Sequence, residues 1–191
     1  MDDTPARSPA TMPAIMSDSA ALGFEMSCEP RTGALLATLV ASKPGGRILE
    51  LGTGTGAGAA WLLDGMDADA RLISIEIDRA VQVVASMHLG SDQRVTFETT
   101  DAHTWLCNYQ GEPFDFVFVD CRPGKFHALD RLLDLLRIGG LYVADDLLPQ
   151  PTWPDDHQQR VDGFLDRLPR VSVLRAVTMA WSSGLVVGAR V

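Results

Sequence analysis

With 191 residues, a formal charge of −9 and 46% apolar residues, the chain has the length of one domain with its own core. Sixteen Lys and Arg against 25 Asp and Glu exclude the clustered basic surface that a phosphate backbone requires, so the expected partner is a small molecule and not a nucleic acid. Three cysteines, Cys28, Cys107 and Cys121, have neither metal-ligand spacing nor an even count, which speaks against zinc or a disulfide framework and for a reducing, cytoplasmic setting.

The opening "MDDTPARSPATMPAIMSDSA" puts acids where a signal peptide has bases and is broken by Pro and Ser, so residues 1–19 read as a flexible tail before a single domain over 20–191. No run of about 18 apolar residues occurs, so no membrane span is expected. "RTGALLATLVAS" carries Leu35, Leu36, Leu39 and Val40 at helical spacing, and "KPGG" stops it. An alternation follows. "RILEL" (47–51) is a strand and "GAGAAWLLDGM" a helix; "RLISIEI" (71–77) is a strand, and "DRAVQVVASMHLG" a helix with Asp78 as N-cap. "VTFETT" (95–100), "FDFVFVD" (114–120) and "LYVAD" (141–145) are further strands, with "KFHALDRLLDLLR" as the helix between the last two. This order implies an open α/β sheet, parallel through right-handed crossovers and covered on both faces, with ligands at the carboxyl ends of its strands. "VDGFLDRL" is one more helix, and "VSVLRAV" (171–177) with "GLVVGARV" (184–191) form a hairpin.

Two features carry chemistry. "LELGTGTGAG" places Gly52, Gly54, Gly56 and Gly58 between a strand and a helix, where glycines let backbone N–H groups approach a ligand. Glu76, ending the second strand, is suited to accept two hydrogen bonds from a ribose; nicotinamide enzymes share this pattern. The second feature is acidic. Asp120 and Asp145 end the fourth and fifth strands, and Asp146 is adjacent. Three converging carboxylates repel unless a cation neutralises them or one is protonated, and hard oxygen donors suit Mg²⁺ or Ca²⁺.

"RILELGTGTG", "ARLISIEID", "FDFVFVDC" and "GGLYVADDLLPQ" resemble successive motifs of the class I S-adenosylmethionine-dependent methyltransferases, most closely the catechol and caffeoyl-CoA type of O-methyltransferase. The resemblance runs from about Glu29 to the C-terminus and implies a Rossmann-like, doubly wound sheet of seven strands, mostly parallel with an antiparallel C-terminal strand. It further implies the cofactor S-adenosylmethionine, a hydroxyl-bearing small-molecule acceptor and a homodimer. By the same resemblance Gly52, Thr53, Gly54 and Gly56 take the methionine and ribose side, and Glu50 is the acid preceding the loop, with support of the loop as its alternative role. Glu76 takes the ribose hydroxyls, Ile77 is a further cofactor-binding position, Asp101 and Ala102 fall at the adenine, and Asp120 lies near the methionine portion. It also implies a divalent ion on Asp120, Asp145 and Asp146. Asp146 departs from the amide usual there, and its alternative role is to cap the following segment. The family's catalytic lysine lies three residues after the first metal aspartate, whereas "DCRPGKF" puts Lys125 at plus five. Lys125 is thus the candidate base, acting with Asp120, or else a loop cap; His127 is the next candidate. "LLPQPTWPDDHQQ" reads as a pocket wall, with Trp153 and Trp181 as stacking or packing residues and His157 as a helix start without chemistry. A nicotinamide oxidoreductase, another transferase on this fold, or a cofactor-binding protein without catalysis are the alternatives.

Overall fold

A computed structural model describes residues 3–150 and 153–191. Strands β1 (Arg47–Leu51), β2 (Arg71–Glu76), β3 (Val95–Thr99), β4 (Phe114–Val119) and β5 (Leu136–Ala144) pair in parallel. With β6 (Leu174–Met179) and β7 (Leu185–Arg190) they form one seven-stranded sheet of order β3-β2-β1-β4-β5-β7-β6. Strand β7 runs antiparallel to both β5 and β6, which is the expected hairpin and the expected antiparallel C-terminal strand.

Period-two side-chain alternation divides the core between the two faces. Ile48, Phe116, Phe118 and Val143 face one layer, built from α1 (Met12–Ala21), α2 (Pro30–Val40), α3 (Ala57–Gly65) and α4 (Arg79–Leu89). Leu49, Leu51, Val117, Val119 and Tyr142 face the other, built from α5 (Ala102–Asn108), α6 (Leu129–Asp134) and α7 (His157–Arg167). The strand order reverses between β1 and β4, and the crevice that such a reversal opens lies at their carboxyl ends. Among the described residues no helix is long and apolar enough to cross a membrane.

Four elements differ from the sequence reading. The expected flexible tail (Met1 and Asp2 lie outside the described residues) includes helix α1, whose Ile15 and Ser19 are fully buried. Its apolar side is built from Met12, Ile15 and small residues, too sparse to register as a hydrophobic stripe, yet it packs on α4 and α3. Helix α5 begins at the unread N-cap Asp101, whose carboxylate accepts from Thr104 N and Thr104 Oγ1, both at 2.8 Å. Helix α6 spans only Leu129–Asp134, because Gly124 (φ 85°) and Ala128 (φ 56°) turn the chain ahead of it. Strand β5 starts at Leu136, with a register shift against β4 before its regular pairing at Leu141–Ala144.

The docking of α1 can be measured. Ile15→Ala should cost about 2 to 4 kcal/mol in chemical unfolding, as expected for emptying a closed core position; an unchanged midpoint would mean that residues 12–21 are a tail after all.

Candidate active site

The loop after β1 is a tight turn held from three sides. Gly52 N and Thr53 N both donate to Ile75 O, at 2.9 and 3.1 Å, folding the loop over the tip of β2. Gly52 has φ 98°, and a Cβ there would lie 2.5 Å from the carbonyl oxygen of Asp120, so only glycine lets the ends of β1 and β4 approach this closely. From beneath, Thr53 Oγ1 is 2.6 Å from Ser74 Oγ and accepts from Gln82 Nε2 at 3.2 Å. From the α1 side, Ser19 Oγ donates to Thr55 Oγ1 at 2.7 Å.

Glu76 is fixed by the backbone it faces. One carboxylate oxygen accepts from Gly54 N (2.8 Å) and the other from Ile77 N (2.9 Å) and Asp78 N (3.0 Å). Glu76 also lines a cavity of about 310 Å³ with Gly52, Thr53 and Gly54 on its floor and Phe24 and Met26 opposite. A smaller cavity of about 230 Å³ continues past Glu76 to Ile77, Asp101 and Ala102. Ile77 is 68% exposed, an apolar side chain placed at the mouth of that cavity. Gly56, with φ 98°, sets the start of α3 and does not line the cavity.

Glu50 lies outside the cavity wall. It is fully buried under the loop, takes a 2.5 Å hydrogen bond from Ser74 Oγ on one oxygen and has no partner on the other. Burial pushes its carboxyl up to about 8, against the opposing effect of the Ser74 bond and with added repulsion from Glu76. Its position matches the supporting role.

A second cavity, about 320 Å³, adjoins the first, sharing Met26, Ser27, Cys28, Asp120, Cys121 and Asp146 with it. Asp120 and Asp145 enter as continuations of the sheet: Asp120 N donates to Leu51 O (2.8 Å) and Asp145 N to Val119 O (3.1 Å). The carboxyl of Asp120 is held well above its usual range, by burial first and then by the charges of Asp145 and Asp146. That of Asp145 is pushed up to about 6, chiefly by burial, with Ser183 opposing and Asp146 adding repulsion. One oxygen of Asp145 accepts from Asp146 N (2.7 Å) and from Ser183 Oγ, so the β6–β7 turn clamps the acidic loop. Asp146 itself sits in the left-handed region, at φ 61°.

The sequence-expected residues therefore converge only in part. Lys125 lies in the loop ahead of α6, 2% exposed, with Nζ donating to Asp145 O at 2.6 Å and its charge acting on both Asp120 and Asp145. His127 is exposed and pairs with the ring of His103, away from the second cavity. Trp153 lines that cavity, whereas Trp181 donates to Asp3 Oδ2 and lines none of the cavities described above. Pro151 and Thr152 of the expected wall lie outside the described residues. Among the described residues no three His, Cys, Asp or Glu side chains are gathered as a metal-ligand group; one oxygen of Asp145 accepts from Ser183 and the Asp146 backbone. The residue that sequence reasoning passed over is His157, buried in the wall of the second cavity. Its only signal was a histidine closing the Pro-rich segment "PTWPDDH".

The model of a family described as O-methyltransferase matches residues 14–170. The chain belongs to the O-methyltransferase family. A protein of Mycolicibacterium vanbaalenii provisionally named an O-methyltransferase is 31% identical over 120 residues, 60% of this chain and 53% of that one; one from Mycobacterium avium is 34% identical over 123 residues, covering 60% and 54%. The chain thus spans about half the length of the curated relatives it matches. Among solved structures, the O-methyltransferase TomG of Streptomyces achromogenes, in complex with S-adenosylmethionine (SAM), is 25% identical with a TM-score of 0.83, covering 96% of this chain and 91% of that one. An O-methyltransferase of Bacillus cereus in complex with S-adenosylhomocysteine (SAH) shares the fold, at a TM-score of 0.86 and 22% identity over 99% and 94% of the two chains.

The buried Glu50 of this O-methyltransferase-family chain makes stability depend on pH. Its folded value, about 8, exceeds the unfolded value of about 4.5, so the folded protein binds the extra proton between the two and stability falls as pH rises across that window. Glu50→Gln should melt like the wild type near pH 4.5 and become the more stable of the two, by on the order of a few kcal/mol, by pH 8; melting curves that stay parallel from pH 4.5 to 8 would contradict the assignment.

Proposed function

We propose that the chain transfers a methyl group from S-adenosylmethionine to a hydroxyl of a small aromatic or vicinal-diol acceptor. The observation that carries this reading is that two cavities adjoin at Asp120, one floored by the glycine loop and Glu76, the other walled by strand-tip acids, Lys125 and aromatic rings. Membership of the family and the likeness to cofactor-bound neighbours support it.

The cofactor fits the first cavity. A Cβ on Gly54 would lie 3.0 Å from the Phe24 ring, so the bare backbone leaves the floor open. In this reading Gly52, Thr53 and Gly54 hold the methionine and ribose portions through their backbone, with Gly56 shaping the turn. Glu76 accepts the ribose hydroxyls, and its carboxylate is pre-oriented by three N–H groups, so little ordering is left for binding. Ile77, Asp101 and Ala102 border the adenine, and Asp120 stands beside the sulfonium, where a negative charge suits a cationic centre. The cofactor supplies an activated methyl group; the chain's contribution is to align an acceptor oxygen with it and to exclude water.

Among the described residues no group of three metal-ligating side chains is gathered, and no step is routed through a divalent ion. In this reading Lys125 provides the positive charge instead. Its ammonium is held by the Asp145 carbonyl, and its charge favours the ionised forms of Asp120 and Asp145. Trp153 and the 25–29 segment give the acceptor cavity a flat side and a cover.

Calorimetry tests the cofactor half. SAH should bind one-to-one in the micromolar range, and Glu76→Ala should weaken it about tenfold or more, through loss of two charge-assisted hydrogen bonds. No heat from SAH in the wild type would sink the methyltransferase reading.

A further inference from the structure

Helix α1 reaches the first cavity through one residue. Ser19, in the last turn of α1, is 1% exposed, and its hydroxyl lies 2.7 Å from both the Ile15 carbonyl of its own helix and Thr55 Oγ1 of the glycine loop. Thr55 is equally buried, lines the cavity and sits between Gly54 and Gly56, which both have positive φ (52° and 98°). A helix that served only as cover would present an apolar side chain at such a place, because a buried hydroxyl is costly unless it is bonded. Here the bond is spent on the tip of the loop, across 36 residues of chain.

The backbone of the same residue sets the opposite wall. Helix α1 ends in a Schellman motif: Phe24 N donates to Ser19 O at 2.9 Å and Gly23 N to Ala20 O at 3.0 Å, with Gly23 at φ 66°. That turn lays the half-buried Phe24 over the loop, where a Cβ on Gly54 would lie 3.0 Å from Cζ and 3.2 Å from Cε1 of the ring. Phe24 lines the cavity, and Gly54 N beneath it donates to Glu76 at 2.8 Å. The aromatic wall, the loop tip and the carboxylate are therefore all referred to the hydroxyl and carbonyl of Ser19.

We propose that Phe24 is a cofactor-binding residue, its ring covering the methionine and ribose portions of S-adenosylmethionine above Gly54, and that Ser19 is the positioning residue that sets ring and loop together. The Schellman turn and the Ser19–Thr55 bond hold the two walls at a fixed spacing before the cofactor arrives, which reduces the ordering that binding has to impose. Helix α1 is in this way part of the cofactor site, although none of its own residues lines the cavity.

This inference rests on the cofactor reading, and its test separates the two. SAH affinity and the melting temperature of the ligand-free protein are measured for the wild type, Phe24→Ala, Phe24→Tyr, Ser19→Ala, Ser19→Ala with Phe24→Ala, and Ile15→Ala, which loosens α1 through packing alone. Phe24→Ala is expected to weaken SAH about tenfold with its melting temperature nearly unchanged, through loss of one apolar ring contact, while Phe24→Tyr keeps the wild-type affinity. Ser19→Ala is expected to weaken SAH by a similar factor, with the double variant little weaker than either single one, because the two residues act as a unit. Ile15→Ala should melt earlier yet bind SAH like the wild type. Wild-type affinity in Phe24→Ala would overturn the role of Phe24. Losses that multiply in the double variant, or a loss in Ile15→Ala as large as that in Ser19→Ala, would overturn the positioning role and leave α1 as plain support. No heat from SAH in the wild type would overturn the cofactor reading, and this inference with it.

Discussion

The rest of the site depends on one electrostatic constraint: carboxylates held away from water at the carboxyl edge of a parallel sheet. Glu50, Asp120 and Asp145 are all raised above their ordinary range, and in each case burial is the first cause. A sheet that ends two adjacent strands on aspartate must either protonate them or bring in a cation. Here the loop after β4 turns Lys125 inward, and its hydrogen bond to the Asp145 carbonyl fixes the cation to the strand it compensates. The lysine's charge acts on both acids, which makes the loop geometry and the acids interdependent.

The glycine turn transmits the same constraint to the cofactor side. Gly52 touches the carbonyl of Asp120, Gly54 donates to Glu76, and Thr55 accepts from Ser19 on α1. The two cavities are therefore not independent pockets. They share a wall whose position is set by the close approach of β1 to β4. On the other side the Ser183 hydroxyl bonds Asp145, and Ser182 bonds both Thr32 and Glu29 of the α2 start, so the β6–β7 turn ties the acidic loop to the N-terminal layer.

Most of the sheet was legible because buried parallel strands read as apolar runs and their helices follow at regular intervals. Asp78 as N-cap, the glycine turn and the C-terminal hairpin were visible for the same local reasons. What escaped the sequence depends on partners far along the chain. Helix α1 is stable by packing and not by its own pattern. Lys125 was read into a helix, whereas Gly124 and a Pro123–His127 bridge bend the chain so that the lysine points inward. His157 was correctly placed at a helix start. Its burial against Trp153 and Phe126 was invisible, because only the folded chain brings these residues together.

The central claim is that the strand-tip acids are compensated by the chain's own lysine. The direct measurement is calorimetric titration of Mg²⁺ into protein saturated with SAH, in the wild type and in Asp145→Ala. The account predicts no saturable heat in either. One-to-one heat in the wild type that disappears in Asp145→Ala would contradict it, making the acids a metal site and Lys125 a bystander.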